Sequence, residues 1–115
     1  MIYTASFFND SDQHGQAFSI ARTQPRGFAL STIRMFRPSA ILLHAYRIGD
    51  LTFEQYAKVF RNDGLEPETP AIVTWAELQT GGETTLCCWE PTPTACHRRV
   101  VGEFLQELGY PATIN

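Results

Sequence analysis

The segment from Glu83 to Leu108 constrains the fold more than any other part of the chain. Glu83 to Trp89 is apolar for most of its length, as a central strand covered on both faces is. A proline-punctuated loop follows, Pro91-Thr92-Pro93-Thr94. From about Ala95 to Leu108, the residues Val100, Val101, Phe104, Leu105 and Leu108 make the clearest helical stripe in the sequence. Gly109 stops that helix and Pro111 blocks its continuation. A strand and a helix of this kind each need a partner layer for their apolar faces. The economical arrangement is a central sheet with helices packed on it.

The other elements fit that scheme. Tyr3 to Phe8 and Ala17 to Ala21 read as strands, from their β-branched and aromatic content and the turn-rich Asn9 to Gln16 between them. The connector is short for a helical crossover, which leaves the pairing of the two strands open. Pro25 and Gly27 break the next stretch, and a short helix is expected around Leu30 to Met35. Pro38 suits the first turn of a helix whose face carries Ile41, Leu42, Ala45 and Ile48. Thr52 and Gln55 form a capping box for a second helix, which buries Phe53, Tyr56, Ala57 and Phe60 and pairs Glu54 with Lys58. A third helix starts at Pro70, turns Ile72, Trp75 and Leu78 inward and stops at Gly81-Gly82. The expected fold class is α/β: residues 1–115 as a single small domain, with a central, mainly parallel or mixed sheet flanked by helices.

Size supports one domain. A chain of 115 residues buries roughly two-thirds of the surface it exposes when unfolded, and 43% hydrophobic content supplies the core. The longest apolar run, Ala40 to Leu43, is far too short to cross a bilayer, and the N-terminus lacks the features of a secretory signal. Three cysteines, two of them adjacent, make no disulfide framework and suit a reducing cytoplasm. Net charge is −3, yet no acidic residue falls between Gln13 and Gly49, where Arg22, Arg26, Arg34, Arg37 and Arg47 lie. Eight of the nine basic residues are arginine, the side chain that grips phosphate and carboxylate in bidentate fashion.

Reactive side chains gather where the last strand meets the last helix. Cys88 and Glu90 leave the strand; Cys96, His97 and Arg98 open the helix. Ligands of open α/β sheets bind at such a place, outside the carboxyl ends of the strands. The helix also carries its charges backwards, with His97, Arg98 and Arg99 at the positive end and Glu103 and Glu107 towards the negative one. Each misplaced charge costs about 0.3–1 kcal/mol when exposed, and a bound anion would offset that cost. Helical phase turns Cys96, His97 and Arg98 towards the strand end, sends Arg99 to solvent and leaves Cys87 in the core.

Cys88-Trp89-Glu90, then Pro91, then Cys96-His97-Arg98 resembles the signature of the domain of unknown function 488 family. Tyr3-Thr4, Ser19-Ile20, Pro25-Arg26-Gly27, Tyr46-Arg47-x-Gly49 and Tyr56 follow that family's order, so the resemblance covers most of the chain. It implies a small bacterial or archaeal α/β protein whose cysteine, glutamate, histidine and arginine point to an enzyme. Trp89, where that family often has tyrosine or a small residue, and the extra loop prolines depart from its pattern.

The leading expectation is an enzyme acting on a small anionic, phosphate- or nucleotide-like ligand. Cys88 or Cys96 is its nucleophile, His97 its proton-transfer group, and Glu90 its base or anchor. Arg98 clamps the anion, with Arg22, Ser19 and Tyr46 as secondary binding residues. The strand–Cys–loop–Arg–helix order is similar to that of cysteine phosphatases and sulfur transferases, with a longer spacing. Cys88, Cys96 and His97, with Glu90 or His44, could supply four zinc ligands. Adjacent helical residues diverge by about 100°, however, so Cys96 and His97 fit one ion poorly, and the spacing lacks a paired zinc-ligand motif; no cofactor and no metal are expected. The alternative is a non-catalytic module binding nucleic acid or protein through Arg22 to Arg47, with Phe28, Phe36 and Tyr46 as stacking platforms.

Overall fold

A computed structural model describes residues 1–115. Four strands, β1 (Ile2–Ser6), β2 (Gln16–Ser19), β3 (Thr84–Cys88) and β4 (Ala112–Ile114), form one sheet in the order β2-β3-β1-β4. Every pairing is parallel. Four α-helices complete the domain: α1 (Ala40–Arg47), α2 (Phe53–Val59), α3 (Thr69–Leu78) and α4 (His97–Glu107). None is long and apolar enough to cross a membrane.

The first two strands do not pair with each other. β3 lies between them, aligning Ser6 with Cys88 on one side and Ser19 with Cys87 on the other. The connector between β1 and β2 is held by a buried threonine of β3. Thr85 Oγ1 accepts from the His14 amide at 2.7 Å and donates to the His14 carbonyl at 2.7 Å. Gly15, at φ +65°, then passes so close to the Glu83 carbonyl that a β-carbon would collide with it. Beyond β2, Thr32 continues the parallel edge beside Ser19.

Helix α4 lies against β1 and β4. Val101 and Leu105 of its apolar stripe are fully buried in the core with Leu86, Phe36 and Phe60. At the closest approach the helix carries Gly102, where a β-carbon would sit 2.6 Å from Ile114 Cγ1 and 3.6 Å from Thr4 Cγ2. Gly102→Val should therefore cost about 1–3 kcal/mol through overpacking, although valine propagates a helix better than glycine does. A fall in the urea midpoint with unchanged slope would show it.

Several expectations need correction. The stripe Ile41, Leu42, Ala45 and Ile48 is only partly covered: Leu42 packs against the core, but Ile41 is 85% and Ile48 57% exposed. The helix instead turns Ala40, Leu43, His44 and Arg47 to a pocket described below. Its cap is Ser39, whose Oγ accepts from the Leu42 amide at 3.1 Å, so Pro38 precedes the helix. Leu78, at the end of α3, is 77% exposed. The capping box of Thr52 and Gln55 is formed, but Glu54 pairs with Arg99, not with Lys58. Only a 3-10 turn at Arg34–Phe36 occupies the short helix expected around Leu30 to Met35, and a π-helical turn, Phe60–Leu65, continues α2. The last helix begins at His97, not Ala95; Pro93–Ala95 is a 3-10 turn and Cys96 is extended at φ −118°, ψ 141°.

Candidate functional site

A pocket of about 230 Å³ opens at the carboxyl ends of β2 and β3. Cys88, Trp89 and Glu90 line it from the end of β3, and Ala21, Arg22 and Thr23 from the chain leaving β2. His44 and Arg47 line it from α1 and His97 from α4. Trp89 braces the wall: its indole Nε1 donates to the Thr23 carbonyl at 2.8 Å, and its ring packs edge-on against Phe7.

Arg98 lies behind this wall and is fully buried. Its Nε donates to the backbone oxygen of Asn115 at 2.6 Å, and its Nη1 donates to the Glu90 carbonyl at 2.7 Å and to Cys88 Sγ at 3.2 Å. Its Nη2 is buried and has no hydrogen-bond partner, an uncommon state for a buried donor. Burial lowers the pKa of the guanidinium, and the charge of Glu90 is the largest influence opposing that shift. Arg98 thus backs the sulfur and does not line the pocket, which differs from the ligand-facing clamp expected of it.

Cys88 and Cys96 are joined as a disulfide, leaving Cys87 as the free cysteine. Counting cysteines missed this pair, because the loop of residues 89–95 folds back and returns Cys96 to the strand end. Cys88 Sγ also lies 3.4 Å from Glu90 Oε2. Cys96 is buried behind Cys88 and does not line the pocket. Cys87 points to the other face of the sheet, and burial pushes its thiol up to about 11.

His97 Nε2 lies 2.7 Å from the Ile20 carbonyl oxygen. A carbonyl only accepts, so Nε2 carries the proton and Nδ1 presents its lone pair, 4.0 Å from Cys96 Sγ. Burial lowers its pKa to about 4, which keeps the ring neutral near pH 7.

The remaining candidates separate. Arg22 lines the pocket and its Nη1 donates to the Pro38 carbonyl at 3.2 Å. Ser19 is fully buried and its Oγ accepts from the Ala21 amide at 3.2 Å, a turn contact away from the pocket wall. Tyr46 stacks on Tyr56 with ring centroids 4.7 Å apart and is not in the lining either. Of the five arginines between Arg22 and Arg47, only Arg22 and Arg47 reach the pocket; Arg37 lines another groove. Phe28 packs against Phe7, and Phe36 is buried, so these rings are engaged in packing.

His44, which the sequence suggests only as a candidate fourth metal ligand, is a pocket residue on α1. The signal was the stripe Ala40, Leu43, His44 and Arg47, spaced i, i+3, i+4 and i+7 beside the apolar one. Arg99 has a local explanation. It pairs with Glu54 at 3.4 Å and Glu103 at 3.5 Å and lies 4.6 Å over the Phe53 ring, which accounts for part of the reversed charge order of α4.

No curated protein and no solved structure matches the chain. A family model described as the active DUF488-N3 subclade matches residues 2–109.

Proposed function

The chain belongs to the DUF488 family, and from that premise we propose that it is a thiol-dependent enzyme acting on a small anionic substrate. One observation carries the reading: Cys88, itself buried, forms part of the wall of a pocket that Arg22 and Arg47 also line, while the buried Arg98 guanidinium backs its sulfur at 3.2 Å. A cation in contact with sulfur favours the thiolate, which is the nucleophilic form. The reduced chain is the reactive one. Cys88 passes its proton to Glu90, 3.4 Å away, and its sulfur bonds to the electrophilic atom of the substrate, whose leaving group departs with the electron pair. Arg22 and Arg47 hold the substrate anion, and a pocket of about 230 Å³ sets its size. His97 supports the loop as a neutral side chain and is a poor base with its pKa near 4.

Iodoacetate and iodoacetamide test this reading, because they place the same electrophilic carbon on an anion and on a neutral molecule. In the reduced protein Cys88 should prefer iodoacetate over iodoacetamide by about tenfold relative to a free cysteine, equivalent to 1.4 kcal/mol. Added salt should erode that preference, and Arg22→Ala with Arg47→Ala should remove most of it. Cys87, on the sheet face away from the pocket and with its thiol raised to about 11, should stay unlabelled in the native protein. Equal, ordinary rates for both reagents at Cys88 would sink the proposal.

A further inference from the structure

We propose that, with both sulfurs reduced, Cys88, Cys96 and His97 form a binding site for a thiophilic divalent cation such as Zn²⁺, with its fourth coordination position facing the pocket beside Glu90. The inference goes beyond the thiol chemistry proposed above and stands independently of it. Cys88 Sγ, Cys96 Sγ and a ring nitrogen of His97 lie within 4.8 Å of one another, and all three side chains are buried. Helical divergence of about 100° would have kept Cys96 and His97 apart, but Cys96 is extended and precedes the helix. Its sulfur is therefore free to meet the ring from outside the helical phase.

The surroundings are those of a ligand set. The Ile20 carbonyl, 2.7 Å from Nε2, holds the proton there and leaves Nδ1 unprotonated towards the two sulfurs; metal-bound histidines are oriented by second partners of this kind. Nη1 of Arg98, 3.2 Å from Cys88 Sγ, is a donor to a coordinated thiolate. The Cα atoms of Cys88 and Cys96 are 7.7 Å apart, wider than the roughly 4.4–6.8 Å most disulfides span. A tetrahedral ion with Zn–S bonds of about 2.3 Å holds its sulfurs about 3.8 Å apart and suits a wider spacing. Charge also balances: two thiolates, the Glu90 carboxylate and the Arg98 guanidinium sum to two negative charges, which a divalent cation cancels. The disulfide and the metal site are alternative states of the same two sulfurs, since metal binding needs both as thiolates.

Cobalt(II) titration of the phosphine-reduced full-length protein tests this. One equivalent should produce thiolate-to-cobalt charge-transfer absorption and visible bands of tetrahedral intensity, both abolished by one equivalent of Zn²⁺. Cys96→Ser should weaken cobalt binding at least about tenfold and reduce the charge-transfer absorption, whereas Cys87→Ser should change neither. Should Cys96→Ser fail to fold, wild-type protein alkylated at Cys88 must lose the bands. Weak octahedral spectra without charge transfer, or bands that survive alkylation of Cys88, would overturn the proposal. The two readings fail separately: fast iodoacetate labelling without cobalt bands removes the metal site alone, and cobalt bands with ordinary thiol rates remove the nucleophile alone.

Discussion

Replacing Arg98 by methionine is expected to lower the stability of the domain by about 1–3 kcal/mol, because two half-buried backbone oxygens lose their donor. Methionine fills a similar volume, so the loss measures polar contacts more than a cavity. The backbone oxygens of Asn115 and Glu90 would each be left without the guanidinium that now reaches them at 2.6 and 2.7 Å. Arg98→Lys should recover only part of the loss, since an ammonium cannot replace a planar fork with three separate targets. The same substitution should reach the sulfur. Without the guanidinium at 3.2 Å, Cys88 in the reduced protein should react more slowly with iodoacetate at neutral pH. Urea denaturation and labelling rates on one preparation read both effects. A midpoint shift equivalent to less than about 0.5 kcal/mol would show that Arg98 is not the tie the contacts describe.

Acid should weaken the fold through His97. Its folded pKa, about 4, lies below the ordinary value of 6.5 in the unfolded chain. Between those values the unfolded state binds the proton and the native state refuses it. The stabilisation is complete above about pH 6.5, is lost as pH falls towards 4, and loses no more below that. The full difference amounts to about 3 kcal/mol. Carboxylates titrate in part of the same window, so the comparison is with His97→Gln. That variant should be less stable at pH 7 but should lose less on going to pH 4.5. Urea midpoints at both pH values, with a chelator present, give the result; parallel profiles for the two proteins would refute the assignment.

The layered α/β architecture was legible because its signals are periodic. The stripe of Val100, Val101, Phe104 and Leu105 and the apolar run of β3 each encode their own burial. The capping box at Thr52 is similarly local. What escaped is non-local. β4 has three residues, too few for any period to show, and is a strand because β1 offers it an edge. Ile41 and Ile48 promised a buried face, but α1 turns its other stripe to the pocket and leaves both in solvent. At the site, sequence spacing brought Cys88, Glu90 and His97 to one place. It could not show that Arg98 turns beneath the strand, or that the loop returns Cys96 to Cys88. Those depend on how residues 89–95 close, which no residue among them states alone.

The position of β3 in the sheet also sets when the protein can fold. Both β1 and β2 have β3 as a neighbour and neither pairs with the other, so Ile2 waits for Thr84 and Gln16 for the same residue. A growing chain that stops before Thr84 holds no sheet, and its two early strands have unpaired edges. Contacts this distant in sequence are slow to form. The strand that ends the wait also delivers Cys88, and the helix that follows it delivers His97 and Arg98. Assembly of the domain and assembly of its pocket are therefore one late event, and no shorter N-terminal fragment should bind or react as the whole chain does.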